Sequence, residues 1–341
     1  MSTQSATDSP QRSEEETPFV ESAPFARSAY EHTHHDASSW DPGVLLDAAR
    51  VNVVLGGFPK TGTTAMAAWL GESPHVCLTN PKETFLLCPE FDMPPFVASG
   101  TKLEDCFHGD AAFRMEATTL NAYSAPLMEA IATRSDIKVI LLLRDPVAAV
   151  LSWHNQVRQA GDAYDDEFET AWEHAVAVDG GEKPGAAQPR QALKQNYANV
   201  CRFGRHCEQW LARLTHDRVL IVDNHELRQG WQQLVPRLEA FLGRPLALDC
   251  EPATLNSYAS IRFAWIYGWL RTSGINSTLR GLERSVPLLL TIRRAVREKL
   301  FRKAVKKERD ASLESRLGDY FSDDVALAER LRDENRRHWL V

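Results

Sequence analysis

The sequence predicts a three-layer α/β/α fold built on a mainly parallel central sheet, and three observations carry that prediction. Short apolar runs recur at 51–55, 75–78, Phe113–Glu116, Lys138–Leu143 and 218–222, each nearly continuous, as in strands covered on both faces. Longer stretches of helical composition separate them, and regular strand–helix alternation implies parallel pairing through helical crossovers. A glycine-bounded loop at 56–64 joins the first run to a helix at 65–70.

The elements follow in order. Residues 1–45 are rich in Ser, Thr, Glu, Pro and His, with too few aliphatics to offset the entropy of ordering, and are expected to form a disordered tail. His32, His34 and His35 belong to that solvated segment rather than to a metal site. One domain is expected over 46–341, with a C-terminal helical region from about 255. Its longest helix is predicted over 191–214, where Leu193, Tyr197, Val200, Cys201, Gly204, Cys207, Trp210, Leu211 and Leu214 form one apolar stripe. A second helix is predicted over 263–270.

Composition excludes several functions. With 341 residues, 43% hydrophobic and 25% charged, the chain is an ordinary globular protein. Its 46 acids outnumber 39 bases, for a net charge of -7, so no general field draws it to a nucleic-acid backbone. No apolar run approaches the roughly 20 residues that span a bilayer, and no basic stretch followed by an apolar one opens the chain, so the location is read as cytoplasmic. Six scattered cysteines without a CxxC pair read as reduced thiols, not as a disulfide framework or a zinc site.

The loop Gly56-Gly57-Phe58-Pro59-Lys60-Thr61-Gly62-Thr63-Thr64 is P-loop-like. Between a buried strand and a helix it offers backbone N–H groups, the positive helix end, a lysine and hydroxyls to one anion. A turn that merely needed glycine would not require every donor type at once. Gly57 and Gly62 have the separation of GxxxxGK[ST], but Thr63 stands where that motif has lysine, and GxGxxG is missing, so ATP and NAD are disfavoured.

Pro59 to Thr64 resembles the PKxGTT loop that binds the 5'-phosphosulfate in sulfotransferases using 3'-phosphoadenosine 5'-phosphosulfate (PAPS). About eighty residues later, Arg144-Asp145-Pro146 and Ser152 resemble the family's RDPxxxxxS segment, which binds the 3'-phosphate. Arg144 supplies a planar donor fork there, and Asp-Pro is a good helix start. Asn80-Pro81-Lys82-Glu83-Thr84-Phe85 is similar to the NxKExxFF-like segment of carbohydrate sulfotransferases of the heparan sulfate type, and Arg114 to Thr119 to their EKTP segment. Ala117 replaces the EKTP lysine, whose contribution is absent or supplied elsewhere. The resemblance, in the style of bacterial members, covers about 51–245, including 205–211 and 219–222; the RKGxxGDWK segment of small-molecule cytosolic sulfotransferases is missing.

The resemblance implies PAPS as co-substrate, adenosine 3',5'-diphosphate as product, and no metal. Lys60, Thr61, Gly62, Thr63 and Thr64 would hold the 5'-phosphosulfate, with Lys60 also catalytic at the bridging oxygen; Arg144 and Ser152 would hold the 3'-phosphate. Arg262 is either a further clamp on the cofactor or a surface residue opening the 263–270 helix. Glu83, just past the second strand and so at the sheet's carboxyl edge, is assigned the general base, with His75, His154 and Glu116 in reserve. The acceptor would be a hydroxyl, less readily an amine, of a carbohydrate, glycolipid or secondary metabolite, received by loops 89–110 and 159–189. The basic stretch 286–309 is expected to be a cationic amphipathic helix, read as a surface helix packed by its apolar stripe, as a peripheral membrane contact or as a collar for an anionic acceptor. A P-loop kinase-like or regulatory nucleotide binder is the other functional class.

Overall fold

Val53–Leu55 (β1), Val76–Leu78 (β2), Phe113–Glu116 (β3), Lys138–Leu143 (β4) and Val219–Asp223 (β5) pair in parallel, in the order β2-β3-β1-β4-β5. This is a computed structural model, and it describes residues 40–91, 93, 97–98, 100–182, 189–248, 252, 259–261, 301–303 and 311–339. The helices are α1 (Pro42–Ala48), α2 (Thr63–Leu70), α3 (Ala125–Ala132), α4 (Pro146–Gln159), α5 (Phe168–Asp179), α6 (Pro189–Gln195), α7 (Tyr197–Val200), α8 (Phe203–Leu211), α9 (Asn224–Gln229), α10 (Trp231–Leu242) and α11 (Ala311–His338).

The continuous apolar strands are explained by two cores, one on each face of the sheet. Val54, Val139, Leu141, Val219 and Ile221 pack with residues of α1, α3, α4, α8 and α11; Val53, Leu55, Ile140, Leu142, Leu220 and Val222 pack on the other face with Met66 and Trp69 of α2 and Leu238 and Phe241 of α10. Each such side chain contributes about 1.5–3 kcal/mol relative to exposure, so the central strands form a rigid platform. The strand order reverses direction at β1 and β4: after β1 the chain crosses to one side, after β4 to the other. In an open α/β sheet, that is where a crevice forms at the carboxyl edge.

The edge strand β5 is closed by a side chain. Asn335 of α11 accepts from the Ile221 amide at 2.9 Å and donates to the Val219 carbonyl at 2.7 Å, as a neighbouring strand would. Asp324 of the same helix takes the amides of Gly204 and Arg205 at the start of α8, at 3.0 and 2.9 Å. Helix α11 is thus part of the domain.

Two expectations are corrected. The helix predicted over 191–214 is three helices, α6, α7 and α8. Asn196 leaves helical geometry to cap α7, accepting from the Asn199 amide at 3.1 Å, and Arg202 breaks the chain again before α8. The stripe is nonetheless core, with Tyr197, Cys207 and Trp210 fully buried. The amphipathic helix expected over 286–309 does not run through Phe301–Lys303, which form a strand antiparallel to Ala259–Ile261; long-range pairing overrides local periodicity there. The rest of that segment, Arg262, the 263–270 helix, the three tail histidines and Cys250 lie outside the described residues. The tail expected over 1–45 lies outside as far as residue 39, and Pro42 already begins α1. Among the described residues no helix is long and apolar enough to cross a membrane.

Candidate active site

The loop after β1 is held in a conformation that ordinary residues avoid. Gly62 adopts φ +108°, and a Cβ on it would stand 2.4 Å from Asn224 Nδ2, so only glycine fits. Lys60, which does carry a Cβ, also has a positive φ of 66°, a strain of roughly 1–2 kcal/mol of the kind that persists where neighbours enforce it. The enforcers are visible. Arg144 Nη1 donates to the Lys60 carbonyl at 2.8 Å, and Asn224 Nδ2 donates to the Thr61 carbonyl. Beneath them Phe58 stacks on Phe203 with ring centroids 5.0 Å apart.

Gly62 is the N-cap of α2 and has no side chain to spend on it, so the first-turn N–H groups stay uncapped. With the helix dipole they make an anion site. Thr63 and Thr64 open the helix. Thr61 differs from the sequence expectation: it is fully buried, and both its hydroxyl and its amide donate to the Phe58 carbonyl, at 2.6 and 3.3 Å. It shapes the turn.

Arg144 directly follows β4 next to the loop, and the helix it precedes starts differently. Asp145 caps α4, accepting from the amides of Val147 and Ala148, both at 3.1 Å. One turn after buried Ser152, Gln156 accepts from Lys60 Nζ at 3.1 Å, which turns the Ser152 face of α4 toward the loop. A cleft of about 430 Å³ opens on the Arg144 side of this junction, lined by Arg144, Asp145, Asn224, Arg228, Asp324 and Arg332 among others, and Lys60, Gly62 and Glu83 lie outside that lining. Its size suits a nucleotide-scale ligand.

Glu83 stands at the same carboxyl edge. Its Oε1 accepts from Thr119 Oγ1 at 2.6 Å and from Lys82 Nζ at 2.9 Å, and its side chain is 28% exposed. Burial and the nearby Arg144 pull the Lys60 ammonium below its usual range, while Glu83 counters by favouring its charge.

The three reserve bases are placed otherwise. His75 precedes β2 and lies at the amino edge of the sheet, where its carbonyl accepts from Phe113. His154 is buried, with Nδ1 3.3 Å from the Tyr197 hydroxyl and Nε2 3.3 Å from the Asp166 carbonyl, and burial lowers its pKa. Glu116 is fully buried and its carboxylate is saturated by Thr84 Oγ1, the Thr118 amide and hydroxyl, and Asn121 Nδ2. Burial raises its pKa, and its bonds brace the chain after β3 rather than meet a ligand.

The sequence model of the sulfotransferase domain family matches residues 50–263, more than half of the chain. The chain belongs to the sulfotransferase family. It is an enzyme of the sulfotransferase class, and the family generally takes its sulfuryl group from PAPS. The fold agrees: a crystal structure of a sulfotransferase from Alicyclobacillus acidocaldarius superposes with a TM-score of 0.53 at 17% identity, covering 83% of this chain and 96% of that one. A sulfotransferase domain from the curacin biosynthetic pathway is more distant, with a TM-score of 0.34 at 15% identity over 57% of this chain and 74% of that one. Among curated proteins none matches the chain.

In this sulfotransferase the structure brings Lys60, Gly62, Thr63, Arg144 and Glu83 to one edge of the sheet. Sequence reasoning missed Gln156, Asn224, Thr119 and Lys82. Two carried a signal: Gln156 is one turn beyond Ser152, and Lys82 adjoins Glu83. Thr119 stood at the end of the 114–119 segment without a role of its own, and Asn224, from a distant element, carried no signal.

Proposed function

We propose that this sulfotransferase moves the sulfuryl group of PAPS onto a hydroxyl of a carbohydrate, glycolipid or secondary-metabolite acceptor, with Glu83 as general base. One observation carries the reading: Lys60 follows β1 and Glu83, a part-exposed carboxylate, follows β2, so that a cation and a carboxylate stand at the carboxyl edge of the sheet that also holds the uncapped start of α2. The residues fit the donor's chemistry, because α2 starts at Gly62 without a capping side chain and so leaves its first amides for an anion, and the adjoining cleft presents Arg144.

The donor supplies an activated sulfuryl group and a phosphate as leaving group. Gly62, Thr63 and Thr64 would hold the 5'-phosphosulfate on backbone amides and hydroxyls, with Thr61 shaping the turn. Arg144 and Ser152 would hold the 3'-phosphate, and Arg262 would clamp from the C-terminal side. Glu83 takes the proton of the acceptor O–H as its oxygen forms the new O–S bond. Lys60 stabilises the charge left on the phosphate oxygen as the old S–O bond breaks with its electron pair. The sulfuryl group carries one negative charge, so one lysine and fixed dipoles suffice without a metal. The free thiols Cys77, Cys88, Cys106, Cys201 and Cys207 support work in a reducing compartment, the cytoplasm.

The test is transfer of radiolabelled sulfate from PAPS to a panel of glycosides and small alcohols, wild type against Glu83→Gln. The expected result is transfer by the wild type and, in the variant, a loss of about a hundredfold or more in turnover with adenosine 3',5'-diphosphate binding kept. Near-normal turnover in the variant removes Glu83 from the base role.

A further inference from the structure

We propose that Lys82 and Thr119 are positioning residues that hold Glu83 by one carboxylate oxygen and leave the other to take the proton. The inference rests on the reading of Glu83 as the base. Both contacts fall on the same atom: Thr119 Oγ1 donates to Oε1 at 2.6 Å and Lys82 Nζ to Oε1 at 2.9 Å. Among the described residues no hydrogen bond or ion pair goes to Oε2. A carboxylate fastened at one oxygen by two donors from different directions cannot rotate freely about its last torsion, and its second oxygen is fixed in space.

The anchors are themselves anchored. Lys82 Nζ also donates to the carbonyl of Ala117, at 2.8 Å, directly after β3. Its own carbonyl accepts from Thr79 Oγ1 at 3.1 Å, directly after β2. Thr119 follows Thr118, whose hydroxyl is bound to the saturated carboxylate of Glu116. Glu83 sits in a loop, but through these bonds its head is tied to the carboxyl ends of two adjacent strands. A base must stand within hydrogen-bond reach of the proton it takes, and misplacement by about 1 Å costs on the order of a hundredfold. Support from rigid strands is what a loop residue needs to meet that tolerance. Lys82 is only 21% exposed, a position that holds its ammonium in place rather than spending it in solvent.

A double-mutant cycle tests the assignment. Turnover of labelled sulfate from PAPS to the best acceptor of the glycoside and alcohol panel is measured for Lys82→Met, Thr119→Val, Glu83→Gln and the Lys82→Met/Glu83→Gln pair, with calorimetric binding of adenosine 3',5'-diphosphate to each. The expected result is a roughly ten- to hundredfold fall in kcat for each single anchor variant, with nucleotide affinity unchanged and little further loss when Lys82→Met is added to Glu83→Gln. Thr119→Ser, which keeps the hydroxyl, and Lys82→Arg, which keeps a cationic donor, should restore most of the turnover. Full additivity in the pair, or a fall in nucleotide affinity, would show that Lys82 acts on the donor and not through Glu83. Loss in Glu83→Gln but wild-type kcat in both anchor variants overturns the proposal and leaves the base reading standing; wild-type kcat in Glu83→Gln overturns both.

Discussion

The loops after β1 and β4 lie side by side at the same edge of the sheet, each leading into a helix, yet their helix starts are built in opposite ways. Helix α2 begins at Gly62, in a left-handed conformation and without a capping side chain, so its amides are unspent. Helix α4 begins at Asp145, whose carboxylate takes the amides of Val147 and Ala148. The first can therefore grip an anion with backbone, while the second must use side chains, Arg144 and Ser152. The contrast suits the proposed donor with its two separate phosphates, one that would be held by fixed dipoles close to the chemistry and one by a guanidinium farther along.

Filling the glycine cradle attacks the backbone side of that contrast. Gly62→Ala puts a Cβ into Asn224 and an L side chain at φ +108°, so affinity for adenosine 3',5'-diphosphate should fall by about a hundredfold or more. Calorimetry reads it, and retained affinity would show that the α2 amides are not the grip.

On the side-chain half, Arg144→Lys keeps the charge but loses the fork and the tie to the Lys60 carbonyl. A charge-assisted hydrogen bond is worth roughly 1.5–3 kcal/mol, so affinity should drop about ten- to hundredfold. Turnover at saturating PAPS should fall less than affinity, because a remote phosphate is held alike in ground and transition states and only the loosened Lys60 backbone touches the chemistry.

Acid distinguishes the two loops as well. Phe58 under the first loop lies 5.7 Å from His206, whose buried imidazole has its pKa pulled down to about 4. An unfolded histidine titrates near 6.5, so between about 4 and 6.5 the unfolded chain binds a proton that the folded chain refuses. This contribution is fully present above pH 6.5 and is lost as pH falls toward 4, by at most about 1.4 kcal/mol per pH unit. Thermal midpoints of wild type and His206→Asn, compared from pH 7.5 to 4.5, should draw together as the pH falls; a constant gap would mean that His206 takes a proton in place.

The smallest effect belongs to the capped helix. Asp145→Ala should cost about 1 kcal/mol of stability, seen in a denaturant midpoint, with nucleotide affinity little changed. A large loss of affinity would make Asp145 part of the binding site.

Much of the fold was legible because its signals are local. The runs Phe113–Glu116 and Lys138–Leu143 are strands with those same limits, since both faces are covered and apolar residues are needed throughout. The break at Asn196 was not legible, because a stripe of core residues continues across it while the backbone turns to follow the core. Phe301–Lys303 failed for a related reason: its partner, Ala259–Ile261, is some forty residues away. The site divides the same way. Lys60, Gly62 and Arg144 announce themselves in short motifs, whereas Gln156 reaches Lys60 across 96 residues, Thr119 reaches Glu83 across 36 and Asn224 reaches Thr61 across 163. Such partners are chosen by the order of strands, which no short window of sequence contains.

On the proposed function, two differently built loops read two phosphates. Isothermal calorimetry with adenosine 3',5'-diphosphate and adenosine 5'-monophosphate, each with chelator present, tests it most directly. The account predicts binding of the diphosphate without metal and at least tenfold weaker binding of the monophosphate, from loss of the contacts to Arg144 and Ser152. Equal affinity for the two nucleotides, or binding that requires a divalent metal, would contradict it.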